Sequence, residues 1–302
     1  MDAMKATLAL MRWLAILTLV AVPFGWSQRV AITDPALQEP PARRLPPLKI
    51  PLRLYWGYLV VVEGSIGRFQ KLNFLIDTGT FPSVVNEGIS HGLDLQEKDA
   101  NVNLSNRSIR TKSVLLPSIQ LGPVRAELFP VLMQDLSFLE KGLGCKVDAI
   151  VGMDVLRKSS FSIDYKRKQI LFGPIENVRF SVPFETSPPY VTIRMELQNG
   201  PVRLLIDTGD PALMLFQSRL RDAIGLQTIG LETGNNLGGQ FQRRKVRVSE
   251  ITLGKEKLAP QVAFIVNDQV DRGRNFDGVL GPRGLQFEEI AFDFEGQRFS
   301  WK

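Results

Sequence analysis

The sequence predicts a mostly β protein made of two similar lobes. Three observations support this: an internal repeat with an offset of about 130 residues, short segments rich in β-branched residues, and turn residues between those segments. The chain has 302 residues, of which 44% are hydrophobic and 23% charged. This composition is that of a folded globular protein, and the length allows two domains that each bury a core.

The internal repeat is visible at four places that keep the same order along the chain. The aspartates of the best-matched pair are 207 − 77 = 130 residues apart. The matched segments are FLIDTGT at 74–80 with LLIDTGD at 204–210, LG at 121–122 with LG at 253–254, AIVG at 149–152 with GVLG at 278–281, and FSIDY at 161–165 with IAFDF at 290–294. Because order and spacing both match, the chain is interpreted as a tandem duplication, which supplies a pseudo-twofold symmetry within one polypeptide.

Each copy contains short segments with the alternation or β-branching typical of strands. Turn residues separate them, as in LGP at 121–123 and NGP at 199–201. The predicted strands are Leu59–Val62, Leu72–Ile76, Tyr190–Leu197, Val202–Ile206, Val246–Ile251 and Val262–Val266. Helical periodicity is confined to short pieces such as Met153–Lys158 and Ser218–Ile224.

The N-terminal residues predict an export signal. Lys5 and Arg12 precede an uncharged run over residues 13–26, which is shorter than the ~20 residues that span a bilayer. We therefore expect residues 1–27 to be a signal peptide and the protein to be exported, to a bacterial periplasm or the medium. If the segment is not cleaved, it becomes a membrane anchor.

The remaining chain divides into a tether and two lobes. Residues 28–47 are rich in proline, which predicts an extended tether in which helix is disfavoured. The sequence FGP at 172–174 is the natural boundary between the repeats. The first lobe is thus expected over 48–173 and the second over 174–302.

The scarcity of histidine and cysteine limits the chemistry. One His and one Cys cannot build a multi-His or multi-Cys zinc site or an intrachain disulfide, so we expect no metal and no cofactor. The formal net charge is +6. The densest basic cluster, at 243–247, has the alternation of a strand and is interpreted as a solvated face, not a nucleic-acid patch.

The repeated Asp-Thr-Gly suggests a specific chemistry. Two carboxylates held about 3 Å apart cannot both ionise, so they share a proton. One then acts as general base on a water while the other donates a hydrogen bond to a carbonyl. Gly after each Asp allows two such loops to approach, and Thr supplies a hydroxyl for bracing.

These residues resemble the retropepsin-like aspartic proteases, and the likeness covers roughly residues 48–302. It is carried by two Asp-Thr-Gly motifs, each followed 75 or 74 residues later (152 − 77 and 281 − 207) by two apolar residues and Gly. The resemblance implies two tandem β-barrel lobes related by a pseudo-twofold axis. It also implies site residues: a catalytic dyad of Asp77 and Asp207, supported by Thr78, Gly79, Thr80, Thr208 and Gly209.

The family has a flap, a hairpin that closes over the substrate between the Asp and the later Gly. In the second copy the Gly-rich run 234–240 suits a mobile tip, with Gly238 and Gly239 as candidate flap residues. In the first copy the corresponding segment, 101–110, is polar and lacks Gly. Two departures bear on activity. The family usually carries Ser, Thr or Ala after Asp-Thr-Gly, which Thr80 satisfies and Asp210 does not. In addition, Gly281 is followed by PRG at 282–284, where the first copy has MDV at 153–155.

The resemblance implies an exported aspartic endopeptidase that hydrolyses peptides with an activated water. A duplicated chain needs no second copy, so we expect a monomer whose partner is a peptide or protein substrate. A catalytically inactive relative that still binds peptides is the alternative. The turn also resembles the phosphate-gripping loop of sugar kinases, but Asp210 and the lack of long amphipathic helices disfavour that function. The other matched acids, Asp148 with Asp277 and Asp164 with Asp293, are interpreted as structural.

Overall fold

The computed structural model describes residues 19–20, 47–103, 108–176, 179–187, 190–198, 200–220, 226–236, 239–268 and 275–302. The predicted signal peptide and tether lie outside these ranges except for residues 19–20 and 47. Among the helices of the described ranges, none is both long and apolar enough to cross a membrane.

The N-terminal half consists mainly of strands. The strands are β1 (Leu19–Val20), β2 (Leu48–Tyr55), β3 (Leu59–Ile66), β4 (Phe69–Ile76), β5 (Thr80–Phe81), β6 (Val84–Asn86), β7 (Lys98–Asn103), β8 (Ser108–Leu121), β9 (Val124–Gln134), β10 (Ala149–Val151), β11 (Phe161–Asp164) and β12 (Gln169–Phe172). The helices are α1 (Glu87–Gly92), α2 (Ser137–Leu143) and α3 (Met153–Leu156). The Asn86 side chain caps α1 by accepting from Gly88 N, and Gly144 ends α2 in the left-handed conformation.

The C-terminal half repeats this arrangement. Its strands are β13 (Phe180–Pro183), β14 (Glu185–Ser187), β15 (Tyr190–Leu197), β16 (Gly200–Ile206), β17 (Leu213–Phe216), β18 (Gln227–Asn236), β19 (Gly239–Val248), β20 (Ile251–Leu253), β21 (Glu256–Leu258), β22 (Gln261–Val266), β23 (Gly278–Leu280), β24 (Glu289–Asp293) and β25 (Arg298–Trp301). Short 3-10 turns cover Gln217–Arg219 and Pro282–Leu285.

The order of the strands is the same in the two lobes. In the first lobe, β3, β4, β10, β6, β9, β8 and β7 are successive hydrogen-bonded neighbours, and β8 also pairs with β3. In the second lobe the corresponding sequence of neighbours is β15, β16, β23, β17, β22, β19 and β18. The mostly β class and the two tandem lobes predicted from the sequence are confirmed.

A set of strands that is continuous with the first lobe through the β2–β3 pair joins the lobes. The neighbours run β2, β12, β11, β24, β25 and β13, so each lobe contributes three strands. At the centre β11 pairs antiparallel with β24, and Ile163 lies opposite Ile290. Phe161 stacks on Phe292 with ring centroids 4.8 Å apart. All four side chains are fully buried, so this joining sheet fixes one lobe against the other through the hydrophobic effect.

Some predicted elements have different bounds in the structure. The helix expected over Met153–Lys158 ends at Leu156, and that expected over Ser218–Ile224 is a 3-10 turn at Gln217–Arg219, with residues 221–225 outside the described ranges. The strand expected over Val246–Ile251 is interrupted, because Ser249 N and Oγ both donate to the Gln198 side chain.

Replacement of Ile163 by Ala should destabilise the protein at the joining sheet. Deletion of a fully buried Ile side chain costs about 2–5 kcal/mol in the free energy of unfolding. Ile229→Ala is the matched control, because Ile229 is 40% exposed, and its cost should be within about 0.5 kcal/mol. Urea unfolding of both variants measures the difference; equal losses would show that the joining sheet does not stabilise the two-lobed fold.

Candidate active site

The two Asp-Thr-Gly loops begin where a buried strand ends. Asp77 follows β4, and its backbone N–H donates to Val151 O at the end of the parallel neighbour β10 (3.0 Å). Asp207 follows β16 and donates in the same way to Leu280 O at the end of β23 (2.9 Å). The repeated spacing between Asp-Thr-Gly and the later glycine therefore reflects two parallel strand pairs.

The two loops are tied together by a reciprocal set of threonine hydrogen bonds. Thr78 N donates to Thr208 Oγ1 (3.1 Å), and Thr208 N donates to Thr78 Oγ1 (3.0 Å). Each hydroxyl in turn donates to a carbonyl of the opposite lobe: Thr78 Oγ1 to Ile206 O (2.8 Å) and Thr208 Oγ1 to Ile76 O (3.0 Å). These four bonds are buried, and they hold the aspartates of the two lobes side by side.

The glycines of the motifs allow this close approach. A Cβ on Gly79 would overlap the Asp207 carboxyl of the other lobe. Gly152 packs against the Thr80 carbonyl and Gly281 against the Asp210 carbonyl, so that a side chain at either position would meet backbone atoms. Within each loop the aspartate accepts from its own glycine, Gly79 N to Asp77 Oδ1 (2.9 Å) and Gly209 N to Asp207 Oδ1 (2.7 Å).

The electrostatics of the two aspartates are coupled. Both are buried, and burial raises the pKa of Asp77 to about 7. Burial also raises the pKa of Asp207 well above its usual range, and the charges of Asp77 and Asp210 raise it further. The Asp207 carboxyl lowers the pKa of Asp77, whereas the Asp77 carboxyl raises that of Asp207; among the described residues Asp77 Oδ2 has no well-aligned hydrogen-bond partner. The two carboxyls therefore titrate as a coupled pair, and the pKa of each lies above the usual range of an aspartate.

The residue after each Asp-Thr-Gly breaks the symmetry of the site. In the first lobe the Thr80 hydroxyl lies beside Asp77 and lowers its pKa, without a well-aligned hydrogen bond. In the second lobe Asp210 is buried, and burial raises the pKa of this third carboxyl to about 6. Asp210 Oδ1 also accepts from Ala212 N (3.0 Å). Asp210 thus caps the following segment and places a titratable group beside the dyad.

Two further residues of the site were not predicted from the sequence. The Tyr58 side chain comes from the first lobe; burial raises its pKa above the usual range, and the charges of Asp210 and Asp207 add to this. Arg243 lies on β19, and its positive charge lowers the pKa of Asp210. Arg243 was interpreted as part of a solvated face, but its side chain is fully buried, whereas Arg247 on the same strand is exposed. Charge and alternation alone did not distinguish the two arginines.

A hairpin lies at the expected flap position in both lobes. In the second lobe it is formed by β18 and β19, of which Gly239 is the first residue of β19. Gly238 lies outside the described residues. In the first lobe β7 and β8 pair in the same way, although that segment was the weaker candidate from sequence. The flap role of Gly238 and Gly239 stays a prediction.

The remaining matched acids bind backbone, as predicted. Asp148 Oδ2 accepts from the N–H of residue 73 (2.9 Å), and Asp277 Oδ2 accepts from the N–H of residue 203 (2.7 Å). Asp164 accepts from the N–H of residue 167, and Asp293 from that of residue 296. Within the described residues, no group of three or more His, Cys, Asp or Glu side chains has the arrangement of a metal site.

Comparison with known families agrees with this geometry. The sequence model of the aspartyl protease family matches residues 60–155 and residues 191–282, one match in each lobe. Together these matches cover more than half of the chain, and each includes an Asp-Thr-Gly loop and its later glycine. The chain belongs to the aspartyl protease family. Comparison with the curated proteins gives no match.

Substitution of either bracing threonine by the isosteric valine should destabilise the two-lobed protein. Thr78→Val leaves the buried Thr208 N–H without its acceptor, and Thr208→Val does the same to Thr78 N–H, at about 1–3 kcal/mol each in the free energy of unfolding.

Thr192→Val is the matched control for these variants. The Thr192 hydroxyl is also buried, but it donates to Glu185 O within its own lobe (3.3 Å) and accepts no bond across the lobes. Urea unfolding of all four proteins compares the losses. A loss no greater than that of Thr192→Val would contradict a bracing role for Thr78 and Thr208.

Proposed function

We propose that this chain is an exported aspartic endopeptidase that hydrolyses peptide bonds with a water activated by Asp77 and Asp207. The observation that carries the proposal is the reciprocal Thr78–Thr208 bonding, which keeps two buried aspartates of different lobes in electrostatic contact. Two carboxyls with raised pKa values and one shared proton are the arrangement that general acid–base catalysis on water requires.

The two aspartates have different roles in the proposed mechanism. Asp77, the less basic partner, is ionised and removes a proton from the water, while the water oxygen bonds to the carbonyl carbon of the peptide. Asp207 holds its proton and donates it to the carbonyl oxygen, which stabilises the negative charge that develops there. The C–N bond then breaks, the amine nitrogen takes up the proton from Asp77, and Asp207 recovers its own proton. One water is consumed, and neither carboxyl is changed.

The proposed substrate is an extended peptide that lies between the lobes. This is supported by β1, a short extended segment of the same chain: Leu19 is paired with Thr80 in the Asp77 loop, and Val20 is paired with Asn103 in the β7–β8 hairpin. An extended chain therefore fits between a dyad loop and the hairpin beside it. Recognition through the peptide backbone is the usual way in which an added strand is bound.

Export and the monomeric state are parts of the same proposal. The apolar run at 13–26 supports export. N-terminal sequencing of the exported protein tests this, because cleavage of the signal peptide would leave Gln28 as the first residue. The duplication supports a monomer, because both half-sites lie on one chain. The inactive peptide-binding relative is kept as the second candidate, since buried Asp210 departs from the family pattern. Peptide binding without turnover would identify it.

Replacement of either dyad aspartate by Asn should abolish peptide hydrolysis. An amide cannot act as the base at position 77, and it prevents proton sharing at position 207, so a fall in kcat of at least about 10²–10⁴-fold is expected for each variant. Turnover of a peptide mixture between pH 4 and pH 8, with mass-spectrometric detection of the products, measures this.

Asp164→Asn is the matched control, because Asp164 is a buried acid that binds backbone outside the dyad. It should retain activity. If Asp77→Asn or Asp207→Asn kept near wild-type turnover, the intramolecular dyad would be wrong. Activity that falls on dilution, in step with dissociation of a dimer, would instead indicate a site formed between chains.

The Asp210→Thr substitution should move the acid limb of the pH–rate profile to lower pH. The negative charge of Asp210 raises the pKa of both dyad aspartates, so its removal lowers them. The wild-type limb is expected near the pKa of Asp77, about 7, and the shift should be up to about one pH unit. Asp99→Thr, at an exposed ion pair, should leave the profile unmoved.

An unmoved acid limb combined with a lower melting temperature would contradict this prediction. It would mean that Asp210 acts only as the cap of Ala212 N and has no electrostatic effect on the dyad.

A further inference from the structure

The two lobes differ at two equivalent positions near the dyad, and the differences have opposite charge. Asp210 replaces Thr80 at the offset of 210 − 80 = 130 residues. Arg243 replaces Thr111 at 243 − 111 = 132, which is also the offset between Leu121 and Leu253 at the ends of the corresponding stretches. Where the first lobe has two threonines, the second lobe therefore has an acid and a base.

The first lobe satisfies its threonine at position 111 with neutral groups. Thr111 Oγ1 donates to Met133 O (2.6 Å) and accepts from Gln134 Nε2 (2.5 Å). This position lies on β8, at the base of the β7–β8 hairpin, and it needs no charge. A charge at the corresponding position is therefore not demanded by the hairpin itself.

The second lobe buries a guanidinium at the same place. The Arg243 side chain is 0% exposed and stacks over the Phe264 ring at 3.8 Å. Glu232 on β18 makes one ion pair with it, at 3.3 Å, and is itself partly exposed. Among the described residues, Nε and Nη1 of Arg243 have no hydrogen-bond partner. A buried cation with so few bonds is costly unless other charges compensate it.

The loop that carries Asp210 leads into a strand next to this stack. The Phe264 ring, over which the Arg243 guanidinium stacks, belongs to a residue that lies opposite Met214 on β17. This strand follows the Asp210 loop. The charge of Arg243 lowers the pKa of Asp210. The pKa of Tyr58 is raised by the charge of Asp210 and lowered by that of Arg243. The charged and titratable groups around Arg243 are thus Asp210, Asp207, Tyr58 and Glu232.

We propose that Asp210 and Arg243 form a single buried charge unit, in which Arg243 is a positioning residue that compensates the extra carboxylate beside Asp207 and couples the β18–β19 hairpin to the dyad loop. The unit distinguishes the second lobe from the first, which achieves the same packing with two neutral threonines. Its catalytic consequence rests on the proposed peptidase function, because only then does the charge next to Asp207 affect a reaction.

The unit has a definite pH dependence. Because the pKa of Asp210 is about 6 in the folded protein against 3.8 for an ordinary Asp, its contribution to stability is full below about pH 3.8 and is lost as the pH rises through 6. Removal of Arg243 should raise the pKa of Asp210 further, so that more stability is lost at pH 7. Removal of Asp210 as well abolishes that loss.

The test restores the chemistry of the first lobe in two steps. Melting temperatures are measured at pH 7 and pH 4.5 for wild type, Asp210→Thr, Arg243→Thr and the double variant, all as the full chain. At pH 7 Asp210→Thr should raise the melting temperature of Arg243→Thr by about 2 °C or more beyond its effect on wild type. This difference should shrink at pH 4.5, where Asp210 is protonated in the folded protein.

The controls separate charge from packing. Arg243→Lys keeps the positive charge. In that background, Asp210→Thr should change the melting temperature by nearly the same amount as in wild type. Arg247→Thr, at an exposed position farther along the same strand, should be additive with Asp210→Thr. Additive effects of Asp210→Thr and Arg243→Thr at pH 7, or a coupling of equal size at both pH values, would overturn the proposal.

Failure to fold is also informative in this design. If Arg243→Thr does not fold but the double variant does, the rescue supports the unit. If neither Arg243→Thr nor the double variant folds, Arg243→Met gives a second set of measurements, because Met keeps an apolar side chain over Phe264. If the double variants with Thr and with Met both fail to fold, the proposal is wrong. None of these measurements needs turnover, so failure of the peptidase proposal would be seen separately, in the peptide assay.

Discussion

Two threonine hydroxyls hold together the loops that carry Asp77 and Asp207. Thr78 and Thr208 each accept from the backbone of the other and donate to a carbonyl across the lobe boundary. Because these groups are buried, loss of one hydroxyl leaves a donor without a partner in a place that water does not reach. The position of Asp77 beside Asp207 follows from this bracing, whereas burial is the largest cause of the raised pKa values of the pair.

The symmetry of the duplication extends through the backbone but not to the charges. Strand order, the parallel pairs that precede each dyad loop, and the glycines that pack against residues 80 and 210 are the same in both lobes. The buried charges of Asp210 and Arg243 occur only on the second side. The charge of Asp210 raises the pKa of both Asp77 and Asp207, and the charge of Arg243 lowers the pKa of Asp210, so this asymmetry acts on all three carboxyls.

Much of the fold and of the candidate site could be predicted from local patterns. The repeated Asp-Thr-Gly, its apolar strand and the later glycine are short, contiguous and matched in spacing, so the two lobes and the pairing of Asp77 with Asp207 were accessible. Arg243 was not, because its burial depends on β18 and β22, which flank β19 from other parts of the chain. Tyr58 was missed for a similar reason: it belongs to the first lobe, whereas the charges of Asp207 and Asp210, which raise its pKa, belong to the second.

The sequence by itself determined the duplication, the strand-rich character of each copy, and the residue types available for catalysis, because each of these is written in contiguous residues and their spacing. The tertiary structure decided which charges are buried and which groups meet. Asp210 and Arg243 are 33 positions apart (243 − 210), and Thr78 and Thr208 are 130 apart. Their interactions arise only when the sheets close and the lobes join, and burial then alters the pKa of each carboxyl through loss of solvent and the approach of distant charges.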